Sequence, residues 1–332
     1  MDKTLTPPSG DKHDYMSFGP YWWPDPSKKD GLPYIRRDGE VNPESRTGGS
    51  DNLSTRRLKS CVTSLALAWY FTDDEKYAKH AALMLRTWFL NPETKINPHL
   101  KYGQAIPGRV QGRGIGIIET AMFLDLTDAA ILLQGSKSWT PEDHAALQAW
   151  FRQYLKWLLT SKHGKDESRE PNNHGVWYDT QVAGFALFVG DEKTARRILT
   201  SAKKRILSQI DAKGRQEHEL ARTRSFTYSM FNLKGMFSLA AMADLIDIDL
   251  WSLKQGDKPA LKAAVDFLAP YADPARKWPH KQITDRKPEA LLHLLKMANL
   301  AYGTVVYNRF AAMVPAEERK NSLANLLYPD AR

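Results

Sequence analysis

The chain has 332 residues, of which 42% are hydrophobic and 26% charged, as in ordinary folded domains. This composition excludes a largely disordered chain. No apolar run approaches the roughly 20 residues that a membrane helix needs, so we expect no membrane-spanning segment. The 47 basic and 38 acidic residues give a net charge of +9, which favours an anionic partner such as nucleic acid, anionic lipid or acidic polysaccharide.

Cysteine and histidine usage argues against disulfides and zinc. The single cysteine, Cys61, excludes an intrachain disulfide and a cysteine-based zinc site. Because its neighbours in a helical pattern are apolar, we expect Cys61 to be a small buried core residue. The nine histidines contain no HExxH pattern. A zinc site is therefore not expected, and we predict no metal and no cofactor.

The first 50 residues differ in composition from the rest of the chain. Pro, Gly, Asp and Ser are dense there, as in FGPYWWPDP at residues 18–26, which is typical of turns and extended structure. We therefore expect residues 1–50 to form an extended N-terminal arm. Because so many aromatic side chains would be costly in water, this arm would pack on a body formed by residues 51–332, within a single domain overall.

Helical periodicity begins at about residue 51. Leu58, Val62 and Leu65 recur at helical spacing. The run Thr140–Asp143 combines a Thr cap, a Pro in the first turn and two acids, which is typical of a helix start. Strand-like alternation is scarce, so the predicted fold class is all-α. Further helices are predicted near residues 173–189, 192–210, 225–246, 258–271, 287–302 and 315–327.

One short segment occurs twice. Residues 70–78 (YFTDDEKYA) resemble residues 187–195 (LFVGDEKTA). In each copy a helix ends near an aromatic residue, turns, and restarts at Asp-Glu-Lys, which predicts an antiparallel helical hairpin. Such hairpins repeated around an axis form an α/α solenoid or toroid.

The first dense polar cluster covers residues 170–181, EPNNHGVWYDTQ. Pro171 and the two Asn residues predict a loop that enters a helix, with Asn173 as the cap. An amide and the imidazole of His174 at the positive end of a helix would attract an anion. The alternative is a capped helix with a stray histidine.

The second polar cluster covers residues 218–232, HELARTRSFTYSMFN. Arg224 and Tyr228 are four residues apart and share a face if the helix has begun. Arg222 would lie just before or at the first turn. The alternative is a solvated arginine pair with a half-buried tyrosine.

Together, Asn-Asn-His-x-x-Trp at 172–177 and Arg-x-x-x-Tyr at 224–228 resemble the alginate lyase superfamily. The stretch HDYMSFGPYWWPDP at 13–26 resembles its branch grouped as polysaccharide lyase family 38, which is associated with alginate and β-1,4-glucuronan. The resemblance implies an incomplete (α/α) toroid of about six to seven helical hairpins, with residues 51–332 as the catalytic domain. It also implies a long cleft and β-elimination of a polyuronate without a metal.

The resemblance also assigns the candidate catalytic residues. Asn173 and His174 match the family's Asn-His pair, and Tyr228 matches its catalytic tyrosine. Family 5 alginate lyases carry basic residues seven and four positions before this tyrosine. Here Arg222 and Arg224 stand six and four positions before it, and we expect Arg222 to be the catalytic arginine. Family 5 also often has Ser-Tyr after the histidine, where this chain has Gly-Val at 175–176.

These residue types suit the chemistry of a uronate lyase. Removal of the C5 proton builds negative charge on the adjacent carboxylate, and Asn173, His174 and Arg222 would neutralise it. Preorganised donors of this kind contribute about 3–4 kcal/mol each in comparable sites. In glucuronate and mannuronate, H5 and O4 lie on one face, so Tyr228 would serve as base and acid. In guluronate they lie on opposite faces, and His174 is the natural base.

The candidate substrate-binding residues are Tyr21, Trp22, Trp23, Gln111, Arg113, Trp177 and Arg224. The aromatic residues of the arm would stack on sugar rings, while Gln111, Arg113 and Arg224 would line the cleft. As alternatives, Trp22 and Trp23 would merely fix the arm to the body, and Trp177 would belong to the core.

Three rival functions stay open. An α/α-toroid glycoside hydrolase would need paired carboxylates, and a non-catalytic polysaccharide-binding protein would need only the basic cleft. A nucleic-acid binder is suggested by the basic residues within 196–205, which are typical of a solvated helix face. We expect an anionic polysaccharide partner, with neither nucleic acid nor membrane. We also expect endo cleavage and a periplasmic or secreted location, with the leader absent from this chain.

Overall fold

The computed structural model of the protein describes residues 3–47 and 49–328. The chain divides into two compact units. The first comprises the described residues up to Arg169 together with Gln181–Ala195. The second comprises Glu170–Thr180 and the described residues from Arg196 onwards. The predicted division into an arm of residues 1–50 and a body of residues 51–332 stays a prediction.

Helices dominate both units, which confirms the predicted all-α class. The helices of the described residues are α1 (Asp51–Thr72), α2 (Glu75–Leu85), α3 (Phe123–Leu132), α4 (Pro141–Thr160), α5 (Lys162–Ser168), α6 (Asn173–Phe188), α7 (Glu192–Gln209), α8 (Glu217–Leu220), α9 (Ser225–Asp244), α10 (Ala260–Leu268), α11 (Leu291–Ala301), α12 (Asn308–Ala311), α13 (Ala316–Lys320) and α14 (Ala324–Leu327). The strands are β1 (Met16–Phe18), β2 (Trp22–Trp23), β3 (Ile35–Arg36), β4 (Tyr102–Ala105), β5 (Lys254–Gln255) and β6 (Lys258–Pro259).

The two predicted hairpins are confirmed. Helix α1 ends at Asp73, which adopts a left-handed conformation, and the Asp74 side chain accepts a backbone N–H of the first turn of α2. In the second copy, Gly190 has a φ of 79° after α6, and Asp191 accepts a first-turn N–H of α7. A left-handed residue followed by an acidic cap reverses the chain within two or three residues in both copies.

The predicted cap of α4 is also confirmed. The Thr140 hydroxyl accepts the backbone N–H of Asp143 at 3.2 Å, and the Asp143 carboxylate accepts the N–H of Thr140 at 3.0 Å. Pro141 occupies the first turn, where its missing N–H costs nothing.

Two predicted helices differ from those observed. The helix expected over 258–271 begins only at Ala260, because Pro259 closes the hairpin of β5 and β6. It tightens after Leu268 into a 3₁₀ turn that contains Pro270. The helix expected over 315–327 is two short helices, α13 and α14.

The expected burial of Cys61 is wrong, since its side chain is exposed. The buried stripe of α1 follows Leu58, Val62 and Ala66 at steps of four residues. Cys61 precedes Val62 by one residue and therefore lies about 100° away around the helix.

An aromatic cluster forms the centre of the first unit. Phe89 and Trp150 pack edge to face with ring centroids 4.8 Å apart, and Phe151 lies 4.9 Å from Phe185. Strand β1 pairs in parallel with β4, and β2 pairs with β3 in antiparallel fashion. The buried Glu119 accepts hydrogen bonds from Tyr15 and Ser17, and it thereby ties the β1 segment to the 3₁₀ segment Gly114–Thr120.

Helix α9 is the central element of the second unit and is buried along most of its length. It passes close to the first turns of α6 at Gly235. A Cβ atom at Gly235 would lie 2.9 Å from Val176 Cγ1 and 3.2 Å from Trp177 Cε2. Because glycine removes this obstacle, the helix that carries Tyr228 packs directly on the helix that carries Asn173.

Candidate active site

The first turn of α6 presents the Asn-Asn-His motif. The expected cap, Asn173, is wrong by one residue, because the Asn172 side chain accepts the His174 N–H at 2.9 Å. Asn173 is instead the first residue of the helix, and it is completely buried. The Asn173 amide is therefore available for an interaction other than capping.

Glu219 binds that amide. One carboxylate oxygen of Glu219 accepts the Asn173 backbone N–H at 2.7 Å, and the other accepts Asn173 Nδ2 at 2.8 Å. Burial raises the pKa of Glu219, while the Asn173 hydrogen bonds and the nearby Arg222 and His174 act in the opposite direction. The carboxylate thus lies close to two candidate catalytic side chains, Arg222 and His174. No role for Glu219 was predicted from the sequence.

Arg222 and Tyr228 lie in direct contact. The Arg222 Cζ atom is 3.9 Å from the centroid of the Tyr228 ring. Arg222 follows the short helix α8, and Tyr228 is in the first turn of α9. The second unit therefore contains all four candidate catalytic residues, with Glu219 next to three of them.

Arg224 directly precedes α9 and has a different environment. Its Nε atom is buried and makes no hydrogen bond to any residue in the described ranges. Its backbone forms a bridge with Gln282, whose side-chain oxygen accepts the Phe226 N–H at 3.1 Å. The Lys281 backbone carbonyl accepts hydrogen bonds from the backbone N–H and the hydroxyl of Ser225. The segment 281–282 thus caps the helix that carries Tyr228, a function that the sequence did not indicate.

Behind the Asn-Asn-His turn lies a buried ion pair. Arg205 Nε donates to Asp179 at 2.6 Å, and Arg205 Nη1 donates to the Glu170 carbonyl at 2.9 Å. Burial raises the pKa of Asp179, and Arg205 opposes that shift. A Cβ atom at residue 175 would overlap both the Glu170 carbonyl and Arg205. Gly175, which replaces the serine frequent in family 5 lyases, is therefore required by the Arg205 bridge.

Gly175→Ala is expected to destabilise the protein by about 3–5 kcal/mol, because a displaced Arg205 would leave the buried Asp179 carboxylate unpaired. Guanidinium unfolding monitored by circular dichroism measures the change. Gly49→Ala is the matched control, since its added Cβ would lie at an ordinary 3.5 Å from Thr4 Oγ1. A loss below about 0.5 kcal/mol for Gly175→Ala would contradict this account.

In the first unit, Trp22 lies close to two guanidinium groups. Arg109 Cζ is 5.2 Å and Arg113 Cζ 5.7 Å from the ring centroid. Gln104 holds Arg113 through its carbonyl and side-chain oxygens, at 3.1 and 2.9 Å. Burial lowers the pKa of Arg113 to about 10, so the side chain stays cationic at neutral pH. Arg109 thus joins the candidates Trp22 and Arg113.

The remaining candidate substrate-binding residues have varied surroundings. The Trp23 ring centroid lies 5.2 Å from Arg37 Cζ, and Trp23 Nε1 donates to the Glu40 carbonyl. Tyr21 is half-buried, and Gln111 is exposed. Trp177 is 5% exposed and stacks on Phe231 at 4.8 Å. That position favours the core alternative for Trp177, and its role in substrate binding stays a prediction.

Across residues 3–47 and 49–328, no three His, Cys, Asp or Glu side chains lie close enough to hold a metal ion. Within the same ranges, no helix is long and apolar enough to cross a membrane. The absence of a metal or cofactor from the reaction stays a prediction.

Comparisons with known proteins identify the family. A model of the family described as Alginate lyase matches residues 1–278, whereas no curated protein matches. An alginate lyase from Bacteroides ovatus, solved at 1.60 Å, is 40% identical, with a TM-score of 0.94 over 100% of this chain and 88% of that chain.

More distant structures show the fold. A histidine-to-alanine variant of alginate lyase A1-III complexed with tetrasaccharide is 17% identical, with a TM-score of 0.64 over 100% of this chain and 86% of that chain. A tyrosine-to-phenylalanine variant of that enzyme has a TM-score of 0.61 over 90% and 83% of the two chains, also at 17% identity. The fold class is therefore that of the α/α toroid, as predicted. The chain belongs to the alginate lyase family and is a polysaccharide lyase.

Proposed function

We propose that the protein cleaves a β-1,4-linked polyuronate, alginate or glucuronan, by β-elimination, as a member of the family 38 branch. The observation that carries this proposal is the contact between Arg222 and Tyr228, with Cζ 3.9 Å from the ring centroid. A fixed cation against the ring stabilises the negative charge that Tyr228 carries after it has lost its proton.

The same unit supplies donors for the substrate carboxylate. Glu219 accepts one N–H of the Asn173 amide, and we propose that the substrate carboxylate accepts the second N–H of this amide group. The forked guanidinium of Arg222 and the imidazole of His174 supply further donors. These groups oppose the charge that builds on the carboxylate as the C5 proton leaves.

The bond changes of the proposed reaction balance without water. The Tyr228 phenolate removes the proton from C5, the electron pair forms the C4–C5 double bond, and the C4–O4 bond breaks. Tyr228 then returns the proton to O4 of the leaving chain. The products are an unsaturated uronate at a new non-reducing end and a new reducing end. For guluronate, whose H5 and O4 lie on opposite faces, His174 is the proposed base.

Polymer binding is proposed to involve the cationic aromatic cluster of the first unit. Trp22 offers a flat apolar face, and Arg109 and Arg113 offer charges for uronate carboxylates. The related structures are described as alginate lyases, two of them complexed with tetrasaccharide. We propose endo cleavage and, because the substrate is a polymer, a periplasmic or secreted location.

The test is a parallel absorbance assay for new C4–C5 double bonds, with glucuronan, polymannuronate and polyguluronate in the presence of a chelator. We expect absorbance to rise on glucuronan or polymannuronate, where Tyr228 alone can serve as base and acid, and the chelator to have no effect. Tyr228→Phe is the negative control. Flat absorbance on all three polymers would contradict the proposal.

A further inference from the structure

We propose that Glu219 is a positioning residue, which holds the Asn173 amide in the single orientation that suits a substrate carboxylate. This inference rests on the proposed function. In this proposal Glu219 does not itself touch the reacting atoms. Its buried carboxylate acts on the reaction by orienting the Asn173 amide.

The geometry is bidentate. Both Glu219 oxygens are occupied by Asn173, one by its backbone N–H at 2.7 Å and one by Nδ2 at 2.8 Å. Hydrogen bonds to an ionised acceptor are stronger than neutral ones. Backbone and side chain of Asn173 are therefore fixed together at the start of α6.

A carboxylate also selects one of the two amide orientations. Because an ionised carboxylate only accepts hydrogen bonds, a flipped Asn173 amide would turn its carbonyl oxygen toward Glu219 and be repelled. In the observed orientation, Asn173 Oδ1 is buried and has no hydrogen-bond partner among the described residues. An unsatisfied buried acceptor is costly. Such a group is expected where a ligand, here a sugar hydroxyl, supplies the missing partner.

The position of Glu219 also joins the two sequence motifs. Glu219 lies on α8, three residues before Arg222, and is fully buried. Arg222 and His174 both lie near its carboxylate. Through Glu219, the turn that carries Arg222 and the first turn of α6 are held in fixed relation.

A double-mutant cycle tests this role. Glu219→Gln, Asn173→Ala and the double variant are compared with wild type for kcat and KM on the polymer that wild type cleaves best. We expect Glu219→Gln to lower kcat by about 10²-fold with little change in KM, as for other misplaced catalytic groups. If Glu219 acts only through Asn173, the double variant should match Asn173→Ala within about twofold.

Glu217→Gln is the matched control, because Glu217 lies on the same short helix with its side chain 65% exposed. It should retain wild-type kcat. A double variant whose loss equals the product of the two single losses would overturn the proposal. So would a Glu219→Gln variant with unchanged kcat.

A crystal structure of Glu219→Gln separates this proposal from the proposed function. We expect the Asn173 amide to rotate or to lose one of its two bonds, whatever the wild-type activity. Unchanged Asn173 geometry would overturn the positioning role even if the enzyme is a lyase. Conversely, flat wild-type absorbance would remove the lyase proposal and leave the crystallographic test in force.

Discussion

Tyr228→Phe is expected to lower turnover at least about 10²-fold, the usual contribution of general acid–base catalysis, while substrate affinity stays nearly unchanged. The phenylalanine keeps the ring against Arg222 but removes the phenolic oxygen, which in its ionised form would take the C5 proton and return it to O4. The rate of absorbance increase gives kcat, and calorimetry with an oligouronate gives the affinity.

The matched control for this variant is Tyr70→Phe. Tyr70 lies near the end of α1 and is 60% exposed, so loss of its hydroxyl should leave kcat and stability unchanged. If Tyr228→Phe kept more than about a tenth of wild-type turnover, Tyr228 would not be the acid–base group.

Arg222→Ala is expected to lower kcat by about 10²–10³-fold, the cost of removing one preorganised donor from developing charge. Arg222 contacts the Tyr228 ring and opposes the rise that burial causes in the pKa of the nearby Glu219 carboxyl. Arg224 instead directly precedes α9, and its buried Nε makes no hydrogen bond to any residue in the described ranges. We therefore expect Arg224→Ala to raise KM with a smaller effect on kcat. Steady-state kinetics on one polymer separates the two.

Lysine variants sharpen this comparison. Arg222→Lys keeps the charge but loses the planar fork, so it should recover only part of the activity lost in Arg222→Ala. Equal and mild losses for the alanine variants of Arg222 and Arg224 would contradict the assignment of Arg222 as the catalytic arginine.

Local features of the fold were predictable because they depend on neighbouring residues. The Asp-Glu-Lys restart after Asp73 and after Gly190 specifies both hairpins, and the Thr140 cap specifies the start of α4. The predictions failed where a local feature interrupts the helical pattern, as at Pro259. They also failed for Cys61, because its angular position on α1, and not its apolar neighbours in the sequence, determines that its side chain is exposed.

Part of the candidate site is determined by contacts that no local pattern reveals. The Asn-His pair and the Arg and Tyr candidates could be found from motif spacing. The Asn173–Glu219 bond spans 46 residues and the Phe226–Gln282 bond spans 56, so both depend on tertiary packing. Tertiary packing also explains why Asn172 and not Asn173 caps α6. The Asn173 side chain donates to the buried Glu219, and the Asn172 side chain accepts the His174 N–H.

The central claim, cleavage by elimination, is tested most directly by the masses of the products. Wild-type protein is incubated with a purified mannuronate or glucuronate tetrasaccharide, and the fragments are weighed by mass spectrometry. Elimination predicts two fragments whose masses sum to that of the substrate, with the unsaturated fragment lighter by one water molecule than its saturated counterpart. Fragments whose masses sum to the substrate plus one water would show hydrolysis and contradict the account.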